Sequence, residues 1–131
     1  MNGNNYLLDT NIVIGLFAND FSIVEKIKST EVPISISIIV IGELLYGAEQ
    51  STKKHSNRER LEQFFQISNI FNCDLETSRQ YAIIKSFLKS NGTPIPENDI
   101  WIAALARQHK STLVTRDKHF NNINELLIEN W

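Results

Sequence analysis

Four carboxylates stand where acid side chains can meet. Asp9 directly follows the apolar run Tyr6-Leu7-Leu8, and Asp117 follows Thr112-Leu113-Val114-Thr115 with only Arg116 between. Glu43 is the one charge in Ile38 to Ala48, a stretch otherwise apolar or small, which reads as a buried helix. Asp99 opens the run Ile100-Trp101-Ile102-Ala103-Ala104-Leu105-Ala106 shortly after Pro96. Gathered without a counter-charge, four such groups repel; around a divalent cation they make a site. Hard oxygen ligands suit Mg²⁺ or Mn²⁺, and Mg²⁺ typically takes a few carboxylates together with substrate phosphate. Each acid also has a purely structural reading. Asp9 and Asp117 can cap a helix or turn, Asp99 can sit favourably at a helix N-terminus, and Glu43 can pair with a buried arginine such as Arg79 or Arg107. Left ionised and unpartnered in an apolar helix, Glu43 would lose its charge, so a cation or a basic side chain has to face it.

Other chemistries lack their residues. There is no Gly-rich phosphate loop, no GxSxG elbow and no HExxH. Cys73, His55, His109 and His119 offer no zinc spacing; the histidines are expected on the surface, and Cys73 as an inert core residue within a strand. Tyr46, Trp101 and Phe120 lie near the acids in sequence and are expected in the core.

The elements that position the acids follow from periodicity. Short apolar runs at 6–8, 33–36, 70–73, 112–115 and 126–128 read as strands. Between them lie a helix capped by Asp20 or Ser22 and reaching Lys28, one capped by Ser37 and running to about Gln50, one over 57–69, one capped by Asp74, and one after Pro96. Strands alternating with helices imply parallel βαβ crossovers, hence an α/β fold with a mostly parallel sheet. Ligands of such sheets bind beyond the carboxyl ends of the strands, where Asp9 and Asp117 fall.

With 131 residues, 42% hydrophobic and 21% charged, and with no linker or repeat, residues 1–131 read as a single domain. One cysteine excludes an internal disulfide and suits a reducing cytosol; neither an export signal nor a membrane-spanning stretch is read. A formal net charge of −2 argues against gripping polyanions by bulk charge alone. The charge is uneven, however: residues 51–60, with Lys53, Lys54, Arg58 and Arg60 against Glu59, carry +3 and the rest of the chain −5. A basic patch for phosphate beside an acidic cation site is one reading, and a solvated helix start is the other.

Four segments together, Leu7-Leu8-Asp9-Thr10-Asn11, Gly42-Glu43-Leu44-Leu45-Tyr46-Gly47-Ala48, Pro96-Glu97-Asn98-Asp99-Ile100-Trp101-Ile102-Ala103-Ala104 and Leu113-Val114-Thr115-Arg116-Asp117-Lys118-His119-Phe120, resemble the four blocks of the PIN-domain family, and more closely its VapC-type toxins. The resemblance spans essentially the whole chain. It implies a three-layer α/β/α sandwich and an acidic quartet of Asp9, Glu43, Asp99 and Asp117, in which Asp9, Asp99 and Glu43 are the main metal ligands. Asp117 is then an outer ligand or one acting through water, and Thr10, Asn11 and Thr115 are the polar residues supporting the acids. It further implies an Mg²⁺-dependent endoribonuclease, with Mn²⁺ a substitute, that cuts structured RNA such as transfer or ribosomal RNA. A VapB-type antitoxin would neutralise it in the cytoplasm, and it would form a homodimer. Arg116, Lys53, Lys54 and Arg58 are the candidates for gripping flanking phosphates. Two other functions fit parts of the pattern: a PIN nuclease of RNA maturation or DNA flaps, and a non-enzymatic cation-binding regulatory module. The second needs a phosphoacceptor Asp after a central strand with a late lysine, for which only Asp74 offers itself.

Overall fold

The computed structural model describes residues 5–131; residues 1–4, part of the segment in which no export signal was read, lie outside them. The elements are β1 (Tyr6–Leu8), α1 (Thr10–Phe17), α2 (Phe21–Ser29), β2 (Ile34–Ser37), α3 (Ile38–Glu49), α4 (Lys54–Gln66), β3 (Asn69–Phe71), α5 (Leu75–Ser90), α6 (Glu97–Gln108), β4 (Thr112–Val114), a short 3-10 helix (Lys118–Asn122) and β5 (Leu127–Glu129). The strands form one sheet in the order β3-β2-β1-β4-β5, with each neighbouring pair parallel and Leu8 in register between Ile36 and Val114. Successive strand residues point to opposite faces. Leu7 and Leu8, like Leu113 and Val114, are fully buried, so helices cover both faces of the central strands. This is the α/β sandwich that the alternation predicts.

The strand order decides where a site can form. The chain steps outward from β1 through β2 to β3, then returns to place β4 on the other flank of β1. At that reversal the connections leave in opposite directions and open a crevice at the carboxyl ends of β1 and β4.

Side-chain caps fix where the helices start. Asp20, rather than Ser22, caps α2 through Ile23 N–H at 3.4 Å; Ser37 caps α3 through Val40 N–H at 3.0 Å; Asp74 and Thr77 form a reciprocal capping box on α5. Pro96 stands at the cap of α6 and makes no side-chain bond.

Several expectations need correction. The apolar run of α3 is not buried all round. Val40, Ile41, Leu44 and Ala48 face the core, while Tyr46 is 68% exposed, Ile38 is exposed, and Gly42 and Gly47 face open space. Periodicity failed there because nearly every position is apolar, which leaves no polar stripe to mark the outer face. Cys73 is exposed, since β3 ends at Phe71 and leaves it in the following loop. The helix expected over 57–69 starts earlier, at Lys54. Phe120 is fully buried, whereas Trp101 is half-buried and stacks on Tyr81 at 4.0 Å between ring centres.

Candidate active site

Asp9 leaves β1 and caps α1, and its two oxygens are used differently. Oδ1 accepts the Thr10 N–H at 2.9 Å, while Oδ2 accepts the Thr115 hydroxyl at 2.7 Å and the Asn11 amide at 3.4 Å. Asp9 N–H also donates to the Val114 carbonyl at 2.9 Å, which clamps the end of β1 to the end of β4. Asp9 is 5% exposed. That burial pushes its carboxyl up to about 6, the Thr115 and Thr10 hydrogen bonds pull against it, and the charges of Asp99 and Glu43 add to the rise. The capping reading of Asp9 therefore holds together with its place beside the other acids.

Glu43 sits at the middle of α3, half-buried, and its Oε1 accepts the Thr10 hydroxyl at 3.0 Å. Neither proposed arginine partner reaches it: Arg79 pairs with Glu76 and Arg107 with Glu125. The buried ion pair is thereby set aside. Asp99 lies in the first turn of α6, where the helix dipole favours a negative charge. Burial raises its pKa, the His119 ring opposes this, and Asp117 adds to the rise. Asp117 follows β4, donates its N–H to Thr115 Oγ1 at 3.0 Å and caps the short 3-10 helix.

These four acids, with Thr10 and Asn11, line one cleft of about 540 Å³ at the carboxyl ends of β1 and β4. Thr115, buried and not itself lining the cleft, braces Asp9 through its bond to Oδ2. Among the described residues no lysine or arginine is paired with any of the four acids. Converging carboxylates with no lysine or arginine partner, one of them raised to about 6 by burial, are the donor set that a hard divalent cation fits.

The basic candidates lie elsewhere. Arg116 is tied into the fold: it pairs with Asp20 at 2.8 Å and donates to Ser22 Oγ at 3.1 Å and to the Trp131 carbonyl at 2.7 Å. Its guanidinium holds the Asp20 carboxyl well below the usual range. Lys53, Lys54 and Arg58 are exposed near the start of α4, and both Lys54 and Arg58 pair with Glu49. None of these four lines the acidic cleft. Arg60, two residues past Arg58 on α4, lies over the Phe17 ring at 4.9 Å and borders a groove of about 310 Å³ that shares Ile14 and Glu43 with the cleft.

His119 was missed. It is half-buried rather than on the surface, with Nε2 2.6 Å from Asp99 Oδ2 and Nδ1 2.8 Å from Asp117 Oδ1. The available signal was its place two residues past Asp117, because a chain turning immediately after a strand keeps both side chains at the strand's end.

Comparison with known proteins places the chain. A family model described as "PIN domain" matches residues 6–126. The ribonuclease VapC2 of Rickettsia felis is 33% identical, over 96% of this chain and 97% of that protein. The tRNA(fMet)-specific endonuclease VapC of Shigella flexneri is 29% identical over the same shares. Among solved structures, VapBC2 of Rickettsia felis bound to a DNA fragment from its promoter contains a chain that superposes with a TM-score of 0.89 at 32% identity, covering 96% of this chain and 98% of that one.

Proposed function

The chain belongs to the PIN-domain family as a VapC-type ribonuclease toxin, and from that premise we propose Mg²⁺-dependent hydrolysis of phosphodiester bonds in structured RNA, transfer or ribosomal. The observation that carries this reading is the convergence of Asp9, Glu43, Asp99 and Asp117 on one cleft without a lysine or arginine among them. When bound, the cation supplies a nucleophilic water at neutral pH and offsets the charge that gathers on the phosphate oxygens. Asp9, Asp99 and Glu43 would hold it, and Asp117 would act at its outer side. Thr115 and Thr10 keep Asp9 and Glu43 aimed into the cleft by donating to one oxygen of each, which leaves the remaining lone pairs for the cation. Mn²⁺ satisfies the same oxygen set.

Lys53, Lys54 and Arg58 would meet phosphates flanking the cut. Glu49 takes up part of the charge of Lys54 and Arg58, which leaves Lys53 and, nearer the cleft, Arg60 as the residues less neutralised by their surroundings. A VapB-type antitoxin is the proposed partner, supported by the VapBC complexes among the similar structures. The exposed apolar residues Ile14, Ile38 and Tyr46 are surface that such a partner, or a second copy in a homodimer, would cover. No helix among the described residues is long and apolar enough to cross a membrane, and a cytoplasmic setting follows from the RNA substrate.

Incubating the purified, antitoxin-free chain with total RNA in Mg²⁺, Mn²⁺ or EDTA tests the reading, beside an identically purified Asp9→Asn, Asp99→Asn variant. Discrete fragments that disappear in EDTA and in the variant are expected. A folded, Mg²⁺-binding sample that leaves RNA intact but cuts a DNA flap would replace the toxin reading with a DNA-directed one.

A further inference from the structure

His119 is wedged between two of the four acids. Nε2 faces Asp99 Oδ2 at 2.6 Å, Nδ1 faces Asp117 Oδ1 at 2.8 Å, and one ligand atom from each of the three residues lies within 4.8 Å of the others. The ring is not loose. Its neighbour Phe120 is fully buried and packs against it at 5.0 Å between ring centres, and the His119 N–H donates back to Asp117 Oδ1 at 3.5 Å.

Two neighbouring ligands of an octahedral ion with bonds of about 2.1 Å lie about 3 Å apart. Asp99 Oδ2 and His119 Nε2 therefore need to separate by only a few tenths of an ångström to share one cation. The other nitrogen is already paired as metal-bound imidazoles usually are, with its N–H directed at a carboxylate that fixes the ring's orientation and tautomer. We propose that His119 Nε2 is a direct ligand of the catalytic cation, shared with Asp99, and that Asp117 reaches the cation through this ring. The consequence is metal choice: an imidazole beside carboxylates favours Mn²⁺ over Mg²⁺ more than carboxylates alone do. The inference rests on the metal-dependent reading of the cleft.

Pulsed electron paramagnetic resonance of the full-length chain loaded with one equivalent of Mn²⁺ tests it without reference to activity. The wild type is expected to show ¹⁴N modulation from a coordinated imidazole, replaced by the ¹⁵N pattern when the protein is grown on ¹⁵N-histidine, a comparison that needs no substitution. His119→Gln should abolish the modulation and lower Mn²⁺ affinity about tenfold or more while changing Mg²⁺ affinity less. Stoichiometric Mn²⁺ binding without nitrogen coupling, coupling that survives in His119→Gln, or no Mn²⁺ binding at all would each overturn the assignment. The two readings fail separately: nitrogen coupling without RNA cleavage keeps this ligand and removes the ribonuclease, and RNA cleavage without coupling does the reverse.

Discussion

Asp9 serves two purposes at once, as the cap of α1 and as an acid of the cleft, and the cost is measurable. Its carboxyl is raised from 3.8 to about 6, so the folded, metal-free chain holds that proton more tightly than the unfolded chain. Stability from this group is therefore fully present below about pH 4 and is lost as pH rises through 6, with a full swing of about 3 kcal/mol. Asp9→Asn is expected to raise the melting temperature of the EDTA-treated protein at pH 7 to 8, with the gain shrinking toward pH 4; denaturation curves across that range check it. Adding Mg²⁺ should stabilise the wild type and leave the variant unmoved. A large fall in melting temperature for Asp9→Asn would show that the carboxylate is needed for the fold itself. The types and spacing of the four acids were legible in the chain because each opens, interrupts or follows an apolar run. What was not legible was their surroundings: that Glu43 faces the Thr10 hydroxyl and no arginine, and that His119 fills the space between Asp99 and Asp117. The first depends on where α1 meets α3 and the second on where α6 meets the turn after β4, and neither tertiary contact is encoded by a local pattern.

Among the elements, caps and the strand order do most to place the site. Asp74 caps α5 far from the acids in sequence, with its oxygen taking Thr77 N–H at 3.2 Å. Asp74→Ala should cost about 1 kcal/mol in chemical denaturation and leave RNA cleavage unchanged. Ser37→Ala should cost a similar amount, but α3 carries Glu43, so cleavage should fall with it; a rate equal to wild type would show that the helix start does not set the position of Glu43. The capping residues of α3 and α5 and the five strands could be read from the chain, because each cap is a short polar side chain at a helix start; the cap of α2 was narrowed only to Asp20 or Ser22, and Asp20 takes it. The exposed side of α3 could not, since Ile38, Gly42, Tyr46 and Gly47 look like core residues until the fold leaves them uncovered. Arg116 belongs at this scale too. Its bonds to Asp20, Ser22 and the Trp131 carbonyl join the end of β4 to α2 and to Trp131, which its place among the phosphate-gripping candidates did not suggest.

Taken as a whole, the molecule carries net negative charge and presents an acidic cleft, so RNA must be held by a local basic surface together with bound cations. Reversing charge at Lys53, Lys54 and Arg58 should weaken RNA binding and make the dependence of log affinity on log salt shallower, by about 2 if each residue meets one phosphate of a single strand. An unchanged slope would move the phosphate contacts to other residues, with Arg60 the first to examine. The same charge distribution makes the VapBC-like partnership chemically reasonable, since an antitoxin that closes the cleft has to cover both the acids and the apolar residues beside them. In the proposed mechanism the acids gathered at the carboxyl ends of β1 and β4 hold the cation that cuts RNA. The most direct test of this is the single-turnover cleavage rate of Asp9→Asn against wild type on the same RNA in saturating Mg²⁺, with the melting temperature of each measured in parallel. A loss of at least about a hundredfold with the fold intact is predicted; wild-type cleavage by a folded Asp9→Asn protein would contradict the account.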